Sequence, residues 1–414
     1  MADNNGGSGA LDGFGSNFAT LHKYVDIFER GGNARAAFEA VGGQGLGYID
    51  VNFCKGDSRM FSGGPTPYAG PDCSDLPASA FFQDSKGEPL YVDPYGAVSA
   101  LGDPHSSALV SAAINAITGQ DPIGYVWVDD SGPPNTLSTP ICPAAYPDPP
   151  SFPCSNPVKP NSIVPKATWY ADEVKLLDAL PVPAFVDDST LAASAPNAAG
   201  AICDNCLYSS TNNYEVTGSV LTSVLAGAFA DMDANKLWVL LDENSNDIPT
   251  RMRALAIGLL PYRYEQEYFF AAGCSNSSGI NECPEITFVA DPDPADRNRY
   301  PQSISGITDP SGALIRNFRE CYIAGVAQGA CTAIDNPNLT TSITVPSALV
   351  GAPTLTAHGN PQVCGEPSCV GTAGWVAFDG PAMPSSLPGA TAYVVGPPPA
   401  DVRRSTRANH LGHF

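Results

Sequence analysis

Short apolar runs, mostly continuous rather than alternating, recur along the first two thirds of the chain, and many of them stop at an aspartate. They are Gly47–Asp50, Leu90–Asp93, Tyr125–Asp129, Ala184–Asp187, Ala201–Asp204 and Leu237–Asp242. Runs that are rich in β-branched and aromatic residues and lack polar alternation predict strands covered on both faces, as in a parallel sheet. Between them lie segments with helical spacing: Asn33–Val41, Ser106–Ile117, Ala167–Leu180, Thr217–Ala230 and Pro249–Leu260. In the third of these, Trp169, Val174, Leu176, Leu177 and Leu180 form the apolar stripe, and Pro181 ends it. With Leu21–Phe28 as a first strand and Tyr262–Phe270 as an eighth, strands alternate with helices up to about residue 271. That rhythm predicts an α/β fold, a (β/α)8 TIM-type barrel over residues 1–285. An open doubly wound sheet is the alternative, but no early strand is followed by a Gly-rich phosphate loop.

Two stretches interrupt the rhythm. Residues 54–89 and 131–166 are Pro-, Gly- and Cys-rich insertions, each following a strand end and each carrying a cysteine pair. Beyond about residue 285 the pattern changes to short β-like pieces separated by turn signals. These are Ile286–Val289, Thr332–Ile334, Ser342–Val345, Leu355–His358, Trp375–Phe378 and Ala392–Val395, and they predict a small antiparallel β domain over 286–395. A Pro-rich, weakly basic tail, 396–414, follows.

Charge narrows the function classes. The chain has 42 acidic and 20 basic side chains, a net charge of −22. Nucleic-acid binding through a general basic surface is excluded, because phosphate neutralisation needs clustered Lys and Arg. Anionic membranes and anionic substrates such as phosphate esters are disfavoured for the same reason. No apolar run approaches the roughly 18–20 residues of a membrane span; the longest, near Ser219–Ala230 and Ala254–Leu260, are interrupted. With 40 Gly and 40 Pro the chain is loop-rich, yet 43% hydrophobic residues suffice for a sizeable core.

The twelve cysteines fall as six sequence-local pairs: Cys54/Cys73, Cys142/Cys154, Cys203/Cys206, Cys274/Cys283, Cys321/Cys331 and Cys364/Cys369. Most flank loop-like stretches, where disulfides staple segments that bury little apolar area. Zinc would require two closely spaced pairs or Cys with His, and only 203–206 has such spacing. Six local disulfides and no metal are therefore expected. The start, MADNNGGSGALDG, has neither the basic segment nor the apolar core of a signal peptide. Taken with the cysteines, this predicts a mature, secreted, extracellular or periplasmic protein. Sequons at Asn276 and Asn338 are compatible with that setting. Asp231-Met-Asp-Ala-Asn235 begins like a calcium loop with Asp242 at its twelfth position, but Lys236 stands where the glycine is required. No cofactor is expected, with calcium kept as a minor alternative.

The block Leu90–Asp130 resembles the middle of the barrel-type glycoside-hydrolase-like families of bacteria, in which a helix opening on Asp-Pro leads into a strand ending in Asp-Asp. The likeness continues through Pro183–Asp188, Gly200–Cys206, Leu237–Asp242, Gly329–Asn338 and Gly374–Val395, and spans about 45–400. It implies a carbohydrate-active barrel with Asp129 and Asp130 on the floor of its active site. The Asn-Glu pair of typical retaining β-glycosidases is missing, and the pattern fits barrels using an aspartate nucleophile on strand four with an acid on strand six.

The chemistry agrees independently, since glycosidic cleavage needs two carboxyl groups flanking one bond, and strand C-termini converge at a barrel mouth. On this reading Asp129 or Asp130 is the nucleophile, and Asp204 or, second, Glu243 is the acid/base. Asp50, Asp93, Trp127, Asp187, Tyr208, Trp238, Asp242 and Glu265 line the substrate site, with the tryptophans stacking on sugar faces. Asp also stops strands and caps turns in any protein, so Asp187 and Asp188 have a structural reading beside the functional one. A second hypothesis stays open: a non-catalytic extracellular surface or assembly subunit, filament- or sheath-like, that uses the barrel as a scaffold and packs as a homo-oligomer.

Overall fold

The structure is a computed structural model. It describes residues 19, 22, 27–29, 33–50, 76–92, 99–119, 123–129, 131, 141–143, 165–204, 208–209, 214–215, 218–241, 248–263, 267–270, 284–291, 301–358 and 375–397. The chain divides into two compact units, one holding Asp26–Cys203 and Asp233–Val239, the other Asp204–Met232 and Leu240–Phe414.

The first unit is built on a parallel sheet. Strands β1 (Ile27–Glu29), β2 (Gln44–Asp50), β3 (Tyr125–Asp129), β4 (Ala184–Val186) and β5 (Ala198–Asp204) pair in that order, every pair parallel. β6 (Leu237–Leu241) is the neighbour of β5. The continuous apolar runs are explained by burial on both faces: Val126, Trp127, Val128, Ala184, Phe185 and Val186 are all at most 1% exposed. Gly200 permits the close approach of β6, because a Cβ there would lie 2.0 Å from the carbonyl oxygen of Leu237.

Helices α1 (Asn33–Glu39), α2 (Ser107–Thr118), α3 (Lys166–Ala179) and α4 (Ser189–Ser194) belong to this unit. α2 turns Leu109, Ala113 and Ile117 inward at a spacing of four. α4 starts where Asp188 accepts a hydrogen bond from the Leu191 amide at 3.0 Å, an aspartate N-cap.

One expected strand leaves the sheet. Leu90–Val92 pairs antiparallel with Ser99–Ala100 and Cys142–Pro143 in a separate three-stranded sheet, and β2 pairs directly with β3. The expected third barrel strand is thus part of the inserted region, and Tyr125–Asp129 is the third strand of the sheet rather than the fourth. Three-residue apolar runs pair equally well either way, and only long-range partners decide. Among the described residues no pairing brings β1 onto the opposite edge of the sheet.

The second unit contains α5 (Gly218–Asp233), α6 (Ile248–Gly258) and the strand Glu267–Phe270. Asp231 and Asp233 lie in the last turn of α5, so the start of the calcium-like stretch is helix, and Asp231 is fully buried. An antiparallel sheet follows, made of β7 (Phe288–Asp291), β8 (Leu314–Ile323), β9 (Val326–Asn336) and β12 (Thr391–Val395) in that order. A separate two-stranded sheet pairs β10 (Thr356–His358) antiparallel with β11 (Trp375–Ala377). The core of this region gathers Ala313, Ile334, Ile343, Val345, Ala352, Met383, Leu387 and Val395. α6 packs on β9, β10 and β12 and carries the buried Arg251, whose Nε lies 2.7 Å from Oε1 of the equally buried Glu285.

Cys321 and Cys331 form a disulfide between β8 and β9, and Cys142 and Cys203 each take part in a separate disulfide whose partner lies outside the described residues. Cys54, Cys73, Cys154, Cys206, Cys274, Cys283, Cys364 and Cys369 lie outside the described residues. No described helix is long and apolar enough to cross a membrane.

Candidate active site at the strand ends of the parallel sheet

Parallel pairing places residues of equal register side by side at one level. Asp50 pairs with Asp129. Val186 pairs with Val128, and each is followed by an aspartate, Asp187 and Asp129. Three neighbouring strands therefore deliver aspartates to one level at their C-terminal ends, with roughly 4.8 Å between adjacent strands.

Aromatic donors position two of these carboxylates. The Tyr48 hydroxyl donates to Oδ2 of Asp129. Trp127 Nε1 donates to Oδ1 of Asp187 at 2.8 Å. The two rings meet edge to face, with centroids 5.3 Å apart and planes at 85°, so each limits the movement of the other. The backbone is tied as well, because the Asp187 amide donates to Oγ of the buried Ser131 at 3.0 Å. Asp129 is 8% exposed and Asp187 is half-buried.

Asp188 faces other partners. It caps α4 and accepts the Tyr170 hydroxyl at 2.6 Å. Burial first, and then that carboxylate, push the Tyr170 phenol above its ordinary value. The two adjacent aspartates thus divide their roles, one capping a helix and the other sitting at the level of Asp129.

The remaining expected site residues fare differently. Trp127 and Trp238 are each 1% exposed, so neither presents a ring face to a sugar, and Trp127 acts through its N–H instead. This corrects the expectation that they stack on substrate: both sit inside strands whose two faces are packed. Asp204 ends β5, and Tyr208 lies in a two-residue strand paired with Tyr214–Glu215. Asp93, Asp130, Asp242, Glu243 and Glu265 lie outside the described residues. Among the described residues no group of three or more His, Cys, Asp or Glu is placed to hold a metal ion.

A second polar cluster, on α3, escaped the sequence reading. Glu173 is completely buried, and among the described residues neither of its oxygens has a hydrogen-bond partner. Burial, and then the charge of Asp172, push its carboxyl well above the usual range. Burial would also raise Asp172, but Lys175 at 2.8 Å and His105 at 3.2 Å hold it below its ordinary value. Asp103 is raised by burial, against the opposing effect of His105. The signal for Glu173 was present: it lies four residues from both Trp169 and Leu177, on the inward stripe of α3.

No family model and no curated protein matches the chain. Among solved structures it is similar to a pullulanase from Paenibacillus barengoltzii, at 10% identity over 88% of this chain and 61% of that one, with a TM-score of 0.39. A maltogenic alpha-amylase from Thermotoga neapolitana gives 9% identity, coverages of 87% and 77%, and a TM-score of 0.32. An alpha-amylase from Malbranchea cinnamomea gives 11%, 88%, 76% and 0.31. The chain spans about three fifths of the length of that pullulanase. At such TM-scores the likeness carries no argument about this protein.

Proposed function

We propose that the chain cleaves a neutral carbohydrate at the C-terminal ends of β2–β5, with Asp129 as nucleophile. The supporting observation is the pair Asp129 and Asp187, delivered to one level by neighbouring strands and each oriented by an aromatic donor. Retaining glycosidases need two carboxyl groups about 5–5.5 Å apart, close to the spacing of adjacent strands. In this reading an oxygen of Asp129 attacks the anomeric carbon while a second carboxylic acid protonates the departing glycosidic oxygen. Water then cleaves the glycosyl–Asp129 ester, with the second group acting as base. Asp187 and Asp204 are the candidates for that group, and Glu243 follows them. Tyr48 and Trp127 are positioning residues that pre-align the carboxylates. Closure of the sheet into a barrel and an extracytoplasmic setting belong to the same proposal.

The test assays the parent against a broad panel of neutral glycosides beside Asp129→Asn, Asp187→Asn and Asp204→Asn. Asp129→Asn is expected to lower turnover by about three orders of magnitude or more, with binding retained. Parent activity that survives Asp129→Asn removes this residue from the mechanism. A parent inactive on the whole panel overturns the hydrolase reading in favour of a non-catalytic scaffold.

A further inference from the structure

The chain has four tryptophans. Trp127, Trp169 and Trp238 are each 1% exposed, whereas Trp375, on β11 of the second unit, is 55% exposed. Isolated exposed apolar side chains are ordinary, but Trp375 is not isolated. It is paired in register with His358 on β10. The two rings are stacked, with centroids 4.8 Å apart and planes within 16°. His358 is anchored in turn, because its Nε2 lies 2.8 Å from Oδ1 of Asp379. The indole is thus clamped in place by an imidazole that a carboxylate holds, and all three side chains reach solvent: His358 is 34% and Asp379 54% exposed.

From this arrangement we propose that Trp375, His358 and Asp379 form a second saccharide-binding site, a platform for one pyranose ring of a neutral glycan. The identity of the ligand class rests on the carbohydrate reading of the strand-end site; the platform itself rests on its own geometry. A pyranose presents a face of C–H groups and a rim of hydroxyls. The negative face of an indole accepts the former, while an imidazole and a carboxylate at its edge supply hydrogen bonds to the latter. One oxygen of Asp379 is engaged by His358, and the carboxylate keeps acceptor capacity for sugar hydroxyls. A net charge of −22 turns anionic glycans away. Because the stack and the His358–Asp379 hydrogen bond already fix the indole, little side-chain freedom is lost when a ligand lands on it.

Trp375 reports on its own site, since exposed tryptophan dominates quenching by acrylamide and the other three are buried. The full chain is titrated with neutral malto-, cello-, xylo- and chito-oligosaccharides up to about 10 mM, tenfold above a weak Kd of about 1 mM. At least one series is expected to shift the emission to the blue and to protect it from acrylamide. The response should vanish in Trp375→Ala, weaken several-fold in His358→Ala and persist in Asp129→Asn. If Trp375→Ala fails to fold, Trp375→Phe read by calorimetry replaces it, with weaker binding expected. No emission change with any series, or a change that survives loss of the indole, overturns the platform. Turnover at the strand-end site without a Trp375 response sinks the platform alone, and a response without turnover sinks the hydrolase reading alone.

Discussion

Replacing Glu173 by Gln perturbs one buried carboxyl while keeping its shape. In the folded chain this group is fully buried, has no hydrogen-bond partner among the described residues and lies beside the Asp172 charge, so it holds its proton well above the ordinary glutamate value of 4.5. Once unfolded it ionises near 4.5. Below that value both states are protonated and the group does not affect the equilibrium. Above it the unfolded chain releases a proton that the folded chain keeps, and stability is lost until the folded group also ionises. The limiting slope for one proton is about 1.4 kcal/mol per pH unit. Glutamine does not titrate, so the stability of Glu173→Gln relative to the parent should start to rise near pH 4.5 and level off once the folded carboxyl ionises. Urea melts of both proteins at half-unit steps from pH 4 to 8, disulfides intact, measure the difference through the midpoint at unchanged m-value. Groups distant from Glu173 cancel in the comparison, and Lys175 and His105 hold Asp172 below its ordinary value against the effect of burial. A pH-independent gap, or a parent that gains on the variant as pH rises, would refute the reasoning.

Other perturbations read other parts of the structure. Tyr48→Phe removes the hydrogen bond to Asp129 and should lower turnover about 10- to 100-fold with KM little changed, as expected for a bond to a charged group worth roughly 1.5–3 kcal/mol; unchanged turnover would remove Tyr48 as a positioning residue. Glu285→Gln removes the negative charge facing the buried Arg251 guanidinium; because burial, which raises the Glu285 carboxyl, offsets part of that attraction, the loss should be about 1.5–3 kcal/mol in the same urea assay. Peptide mapping under non-reducing conditions should recover Cys321 joined to Cys331, with Cys142 and Cys203 oxidised; free thiols at most of the twelve cysteines would contradict the expectation of six local pairs.

What the sequence disclosed depended on how local the determining physics is. The continuous apolar runs ending at Asp129 and Asp187 were readable, because burial on both faces leaves no room for polar alternation. The displacement of Leu90–Val92 was not, since a three-residue run carries no mark of parallel or antiparallel pairing and one of its partners, Cys142–Pro143, lies in an insertion. Trp127 and Trp238 looked like ligand-facing rings because they sit near strand ends. Their burial follows from packing on both faces of the sheet, which composition does not reveal. Asp188 beside Asp187 shows the limit of reading a paired carboxylate as one feature, because the helix that starts at Ser189 turns one of the two into a cap. Glu173 was concealed by its residue type: a charged residue on an apolar stripe is discounted, although its helical spacing from Trp169 and Leu177 placed it inside.

The claim that Asp129 is the nucleophile is tested most directly by trapping the covalent intermediate. The protein is incubated with 2-deoxy-2-fluoro glycosides bearing a good leaving group, digested, and mapped by mass spectrometry. The account predicts one glycosyl adduct, on the peptide carrying Asp129, that is absent from Asp129→Asn. An adduct on a different carboxylate, with Asp129 unmodified in a protein that turns over glycosides, would contradict it.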